Sequence, residues 1–405
     1  MKRLLWMGCL CYALTGFSLV IVGSVLPELL PYYGKSYSDG GQLVLVQLLG
    51  LLSGVICMPV LIRQVGRRWS VIAGLLCLSV QMLFALTPPW GLTMPILFVA
   101  GFGTGLIESS IGALVLTAAK ERPAAAMSTL EITFGLGALT MPFLVSWLIG
   151  LDAWIAAFPI LGVSALLLAV CWMFMSFRSF NDLLSRKAAR AAAAQKRTVE
   201  RNPVASGQGR SSAKLAVFAL CALFYLLYGG TEVSLIQFLP SVFMEQRSAS
   251  SSTASAVLSV YWIGMTIGRT ATGLLADKFG YYRFLLVSTI GAVIALGLLA
   301  LGGGLGGGVV LAFLVGLFMS GMFAIALIFA NSRLPGHTDR TTSLLMAVNG
   351  LGGALLPYVS GWTMDLLPVQ MTVWLLTGCM ALMLGFLVLI RQTDKMAPNA
   401  VESLQ

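Results

Sequence analysis

The chain has 405 residues, of which 58% are hydrophobic and only 10% are charged. Soluble globular proteins carry about a quarter charged residues, so this chain lacks the polar side chains that a water-facing surface requires. The composition excludes a soluble globular protein and predicts a polytopic membrane protein.

Apolar stretches of the length that a transmembrane helix needs recur along the whole chain. Twelve spans are predicted, at residues 5–32, 42–62, 69–87, 93–118, 128–150, 155–177, 215–243, 253–275, 284–302, 308–330, 344–366 and 370–390. One connection is basic, rich in Ala and Ser, and much longer than the others. The predicted organisation is a six-helix bundle at 1–177, a cytoplasmic linker at 178–214, a second six-helix bundle at 215–392 and a cytoplasmic tail at 393–405.

The net charge of +10 is explained by membrane topology. With both termini inside, 22 of the 25 Lys and Arg residues fall in cytoplasmic segments, and the exceptions are Lys35, Arg247 and Arg269. The positive-inside rule therefore predicts an even number of helices with both ends cytoplasmic. No nucleic-acid partner is expected. All seven cysteines lie within predicted spans, so neither a disulfide framework nor a metal site is expected.

The two halves share short motifs at a nearly constant offset. The matches are Gly16 with Gly229, Pro27 with Pro240, Gly66 with Gly280, and "GLGALTMP" at 135–142 with "GLGGALLP" at 350–357. Offsets of 213 to 215 at three separated places predict two parallel repeats of six helices each.

A polar loop, "GLLADKFGYYR" at 273–283, follows the eighth span. Gly273 allows close helix packing, and Gly280 allows a tight turn. Asp277 is expected to cap a neighbouring helix N-terminus or to pair with Arg283. These residues are therefore expected to belong to a cytoplasmic gate.

The first copy of this loop, at 59–68, carries Arg63 where the aspartate belongs, so the gate is expected to be asymmetric. Helix geometry places Glu232 about 25 Å and Arg269 about 12 Å from the inner ends of their helices. These depths argue against a direct Glu232–Arg269 pair. Glu131 has the matching depth and the opposite charge, which predicts a Glu131–Arg269 gating bridge.

Glu108 stands near the middle of the fourth span. A charged side chain at such a depth costs roughly 2.5–3.5 kcal/mol on insertion scales, so its presence is a functional hypothesis by default. Desolvation favours the protonated carboxyl, as a proton carrier requires. Glu108 is therefore the predicted proton-coupling residue.

Five further residues are candidates for binding a substrate: Gln47, Glu232, Gln237, Trp262 and Asn349. A small polar ligand needs several donors and acceptors and an aromatic wall, which these side chains can provide. Gln47, Gln237 and Asn349 equally fit hydrogen bonds between helices, and Trp262 equally fits core packing.

The segments "GTGLIESSIGALVL", "MSTLEITFGLGALTMP", "YGGTEVSLIQFLP" and "YWIGMTIGR" resemble the fucose–galactose–glucose:proton symporters of the major facilitator superfamily. The loop at 273–283 is similar to the signature loop of that superfamily. The resemblance implies a monosaccharide carrier that works by alternating access, with proton coupling at Glu108. The fucose symporter also has an acid in its first helix, where this chain has Gly23, so facilitated diffusion is an alternative.

The expectation is an all-α protein with the major facilitator fold, in the bacterial inner membrane. It is expected to be a monomer that imports a hexose (glucose, mannose, galactose or fucose) with a proton as coupling ion and without a cofactor. A proton-driven drug exporter is the main alternative. The Gly137 to Pro142 segment is related to the exporter motif, but Met141 and Ser146 depart from it. A membrane sensor or scaffold is less favoured, because no signalling domain accompanies the helices.

Overall fold

The computed structural model describes residues 2–118, 123–175, 212–334 and 338–396, and the regular secondary structure of these residues is entirely helical. The chain forms two compact units. Of the described residues, the first unit comprises 2–118, 123–175 and 250–259, and the second comprises 212–249, 260–334 and 338–396.

Six long helices build the first unit, with two short 3₁₀ segments at Val80–Leu86 and Trp154–Ala156. These are α1 (Lys2–Tyr33), α2 (Tyr37–Val65), α3 (Arg67–Ser79), α4 (Trp90–Ala118), α5 (Pro123–Ile149) and α6 (Ala157–Phe174). The later helices are α7 (Ser212–Arg247), α8 (Ser251–Phe279), α9 (Tyr281–Ala300), α10 (Leu305–Met319), α11 (Met322–Arg333), α12 (Thr338–Leu366) and α13 (Val369–Met396). Predicted span 10 is interrupted between α10 and α11.

Eleven stretches of the described residues are long and apolar enough to cross a membrane. The one predicted span not among these eleven, at 253–275, corresponds to α8, which has sufficient length at 29 residues but carries many hydroxyl side chains and Arg269. The protein is therefore a multi-pass membrane protein, and the predicted all-α fold class is confirmed.

Equivalent glycines bring equivalent helices together in the two repeats. In the first unit, a Cβ at Gly16 of α1 would overlap the carbonyl of Phe134 in α5, and one at Gly137 of α5 would overlap the carbonyl of Ala13 in α1. Only glycine permits such an approach, because any side chain would separate the two backbones.

The second unit repeats this reciprocal contact between α7 and α12. A Cβ at Gly229 would overlap the carbonyl of Asn349, and one at Gly352 would overlap the carbonyl of Leu226. Gly229 and Gly352 are the residues that the offsets match with Gly16 and Gly137. The predicted internal repeat is therefore confirmed in its packing.

Gly66 and Gly280 have the same backbone conformation at equivalent turns. Gly66 lies between α2 and α3 with φ of 89°, and Gly280 lies between α8 and α9 with φ of 82°. Asp277 is exposed at the end of α8, and among the described residues no basic side chain lies within 4 Å of its carboxylate. The expected pairing of Asp277 with Arg283 is therefore absent.

Residues 250–259 pack with the first unit, where Ser255 donates to the carbonyl of Ser24 at 2.6 Å and Ser259 donates to that of Leu139 at 2.8 Å. The predicted linker lies outside the described residues except for its last three, which begin α7. Helix α13 continues to Met396, and the rest of the predicted tail lies outside the described part.

Candidate functional site

Glu108 lies on α4 against two side chains of α1. The Tyr12 hydroxyl donates to the backbone carbonyl of Glu108 at 3.1 Å. The Thr15 hydroxyl lies within hydrogen-bonding reach of the Glu108 carboxyl group. It also lies 3.0 Å from the backbone carbonyl of Tyr12, to which it donates. Neither Tyr12 nor Thr15 was among the predicted site residues.

A second carboxylate reaches the same place from α5. Glu131 acts electrostatically on both Glu108 and Tyr12, and its side chain is exposed. Helices α4 and α5 both contact α1 at Gly8, which explains how acids from different helices come together. Within the described part of the chain, no basic side chain lies within 4 Å of the Glu108 carboxylate. Glu108 therefore has an acidic neighbour and no cation to hold its charge.

Thr15 is the polar partner that α1 offers to the Glu108 carboxyl group, and the hydroxyl of Thr15 also donates to the backbone carbonyl of Tyr12.

The second unit contains the counterpart of this arrangement with a different side chain. Tyr225 of α7, which the offset of 213 matches with Tyr12, donates to the carbonyl of Phe323 at 2.6 Å. Phe323 of α11 matches Glu108 at an offset of 215, and its ring meets that of Tyr225 edge-to-face at 5.5 Å. The tyrosine–carbonyl hydrogen bond thus belongs to the repeat, whereas the carboxylate belongs to the first unit alone.

Gln47 takes part in a buried hydrogen-bond network. Its Nε2 donates to the backbone carbonyl of Ser18 at 2.7 Å, and Nε2 of Gln81 donates to the Ser18 hydroxyl at 3.2 Å. Gln81 follows α3 in a 3₁₀ segment and is completely buried, although the sequence did not single it out. These contacts favour the interpretation that Gln47 bridges helices.

Glu232 and Arg269 form an ion pair in the second unit, with Oε1 and Nη2 3.9 Å apart. The depth argument against this pair was wrong. Helix α7 has 36 residues and is about 54 Å long, whereas the hydrocarbon core is about 30 Å thick. The helix is therefore longer than the hydrocarbon core and extends beyond it. A depth counted along the helix from residue 215 consequently does not give the position of Glu232 in the membrane. The predicted Glu131–Arg269 bridge joins residues of different units and stays a prediction.

Aromatic side chains surround the Glu232–Arg269 pair. The Arg269 guanidinium lies 5.7 Å from the centre of the buried Trp262 ring. The Tyr228 hydroxyl donates to the carbonyl of Met319 at 3.2 Å and lies within reach of the Glu232 carboxylate. The pair therefore has an aromatic wall, as the substrate-site hypothesis for Trp262 expects.

Oη of Tyr261 and Oδ1 of Asn349 are among the buried polar atoms of the second unit that have no hydrogen-bond partner within the described residues. Tyr261 also lies close enough to Glu232 for an electrostatic interaction, and Asn349 packs against Gly229, one turn before Glu232. Gln237 is buried on another face of α7. Unsatisfied buried groups are expensive, so Tyr261 and Asn349 are the natural positions for ligand hydroxyl groups.

Comparison with known proteins gives the family. The sequence profile described as Major Facilitator Superfamily matches residues 8–245 and 221–404. The glucose/mannose transporter GlcP of Bacillus subtilis is 29% identical over 393 residues, which are 95% of this chain and 94% of that protein. The xylose transporter XylE from E. coli has a TM-score of 0.72 at 14% identity, over 95% of this chain and 98% of that structure. The nucleoside transporter NupG has a TM-score of 0.73 at 14% identity, over 96% and 99% of the two chains.

Proposed function

Since the chain belongs to the Major Facilitator Superfamily, we propose that it is a secondary active transporter that imports a monosaccharide together with a proton by alternating access. Similarity to a glucose/mannose transporter over nearly the whole chain supports a hexose, such as glucose, mannose, galactose or fucose. The structural neighbours include a xylose and a nucleoside transporter, so the fold alone does not select a substrate.

The proton is carried by Glu108. The observation that carries this assignment is the contrast between Glu108 and Phe323, which occupy equivalent positions in the two repeats. The second repeat packs a phenyl ring at this position, so the shared scaffold does not itself require a carboxylate there. A carboxylate retained at a cost in a membrane, with no basic side chain within 4 Å of it among the described residues, is best explained by proton transfer. Glu131 is a second acid that favours protonation of Glu108.

The sugar binds in the second unit, beside the Glu232–Arg269 pair. Trp262 offers a ring face to the sugar, Glu232 accepts hydrogen bonds from its hydroxyl groups, and Asn349 supplies an unsatisfied carbonyl oxygen. Gln47 and Gln237 are weaker candidates, because Gln47 already bonds Ser18. A few convergent polar groups on an aromatic wall are typical of small-molecule sites.

Gating is assigned to the loop with Gly273, Asp277 and Gly280, and to a Glu131–Arg269 bridge in another conformation of the carrier. The left-handed backbone of Gly280 supports its role as the turn that orients α9 after α8. The protein acts as a monomer in the bacterial inner membrane, with the proton as coupling ion and without an organic cofactor.

The test is uptake of labelled glucose, mannose, galactose and fucose into vesicles containing the purified protein, with and without an imposed pH gradient. We expect at least one hexose to accumulate against its concentration gradient when the outside is acidic. Vesicles without protein are the control. If none of the four sugars enters faster than in that control, the sugar assignment is wrong; entry that only equilibrates, with or without the gradient, indicates facilitated diffusion.

A further inference from the structure

An open cavity of about 390 Å³ lies at the end of the second unit that the positive-inside rule assigns to the cytoplasm. It is lined by Phe279, Gly280, Tyr281, Tyr282, Arg283, Phe329, Ser332, Arg333 and Arg391. Three of these described lining residues are arginines, and none is acidic. The arginines come from α9, α11 and α13, so their convergence results from tertiary packing.

Aromatic rings orient two of the guanidinium groups. Arg333 lies 4.9 Å from the centre of the Phe329 ring, and Arg391 lies 4.8 Å from that of Tyr282. A guanidinium group that stacks on a ring keeps its N–H donors at the edge of its plane, where they can bind a ligand. The rings therefore favour a fixed arrangement of donors around the cavity.

Other arginines of the protein are occupied by backbone carbonyl groups. Arg247 donates to carbonyls within residues 299–304, and Arg68 donates to carbonyls at the end of α6. Within the described part of the chain, Arg283 and Arg391 make no hydrogen bond of this kind to the protein. The positive-inside rule explains the side on which these residues lie, but not why they meet in one concavity.

We propose that this cavity binds a phosphate group, carried by an anionic phospholipid or by a free phosphorylated molecule in the cytoplasm. Guanidinium groups match the oxygen atoms of phosphate with pairs of parallel hydrogen bonds, and these charge-assisted bonds are the strong ones. The described lining of the cavity contains three arginines and no acidic residue, and a phosphate group would offset this concentration of positive charge. The cavity also lies at the beginning of α9, whose first-turn residues Tyr281, Tyr282 and Arg283 belong to its lining, and the N-terminus of a helix favours an anion.

The experiment uses the full chain, purified in a maltoside detergent that contains no phosphate. Inorganic phosphate is titrated in one arm and dihexanoyl phosphatidylglycerol in the other, at constant ionic strength set with chloride. Thermal unfolding and native mass spectrometry report binding. We expect a saturable increase in the unfolding midpoint in at least one arm. Binding in the lipid arm alone identifies a phospholipid as the source, and binding of inorganic phosphate identifies a soluble ligand.

The variants are R283Q, R391Q and the triple variant R283Q/R333Q/R391Q. The variant R391K keeps the positive charge but removes the paired N–H donors of the guanidinium group. The matched control is K278Q, because Lys278 carries the same charge nearby but does not line the cavity. We expect each single Gln variant to bind the probe more weakly than the wild type, and the triple variant to lose about tenfold or more in affinity. R391K should lose less affinity than R391Q. K278Q should bind the probe with the affinity of the wild type. Failure of the wild type to bind either probe, or equal weakening in K278Q and R391Q, would overturn the proposal. The single variants keep the test decisive if the triple variant does not fold.

Discussion

The two units contain the same tyrosine–carbonyl hydrogen bond, but the residue that supplies the carbonyl differs. In the first unit Tyr12 donates to Glu108, and in the second Tyr225 donates to Phe323. The second unit has its own acid, Glu232, at a different position and paired with Arg269. The repeat thus supplies one scaffold, on which each unit places its carboxylate differently.

The surroundings of the two acids give them different chemistry. Glu108 is the acid whose charge can change, because within the described residues its neighbours are hydroxyl groups and another acid. Glu232 differs from Glu108 in having a basic partner, the Arg269 guanidinium, 3.9 Å from its carboxylate, and protonation of Glu232 would leave that cation without its partner. This difference underlies our proposal that the proton is transferred in the first unit and that the ligand is recognised in the second.

The substitution E108Q is expected to have the largest effect, because it removes the exchangeable proton while keeping the shape of the side chain. Accumulation driven by a pH gradient should be lost, whereas exchange of labelled for unlabelled sugar across the membrane should continue. Parallel measurements of gradient-driven uptake and sugar exchange in vesicles separate these outcomes. The control is E131Q, which should weaken coupling without abolishing it. Accumulation in E108Q at the wild-type level contradicts the proton role.

The reciprocal substitutions test whether the carboxylate is needed for folding. F323E should destabilise the protein by roughly 2.5–3.5 kcal/mol, because it adds a carboxylate where the repeat has packed a ring against Tyr225. E108F should fold and remain inactive in gradient-driven uptake. Thermal unfolding and yield after membrane extraction measure both variants. If E108F loses more stability than F323E, the carboxylate at 108 has a structural role and the comparison fails.

The Glu232–Arg269 pair is tested by R269Q and R269K. R269Q should destabilise the protein by about 1–2 kcal/mol, below the usual cost of breaking a buried pair, because Arg269 is 34% exposed and its charge is screened. It should also weaken sugar binding, while R269K retains most of both properties. Unfolding and equilibrium sugar binding provide the measurements. Unchanged binding in R269Q would separate the pair from the ligand site.

Much of the fold is predictable from the sequence, because the hydrocarbon core demands long apolar helices and close packing demands glycine. Gly16 and Gly229 stand at a fixed offset in the sequence. Each allows a close contact between two helices, α1 with α5 in the first unit and α7 with α12 in the second. The boundary of the second unit was less predictable. Residues 250–259 continue into α8, and only hydrogen bonds to distant residues such as Ser24 assign them to the first unit.

Candidate site residues were predictable from the sequence only where the residue type is unusual in a membrane helix. Glu108 and Trp262 stand out in an apolar sequence because of their charge or size. Tyr12 and Thr15 do not, since hydroxyl residues are common in membrane helices and their importance depends on how α1 faces α4. The same offset that matches Gly16 with Gly229 also matches Tyr12 with Tyr225, so the repeat contained a signal for Tyr12. The Glu232 contact was missed because helix length alone does not reveal how far α7 extends beyond the bilayer.

The smallest expected effect comes from removing the shared hydrogen bond in each unit, with Y12F and Y225F. Each should cost about 1 kcal/mol of stability, because a tyrosine hydroxyl is lost from a carbonyl acceptor of a membrane helix. Only Y12F should also alter transport, since Tyr12 lies between the two acids of the first unit, and its loss should change the pH dependence of uptake. Thermal unfolding and uptake measured between pH 5 and 8 distinguish the two variants. Equal pH profiles for Y12F and Y225F would mean that Tyr12 only supports the fold, as its counterpart does, and that the difference between the units lies in Glu108 alone.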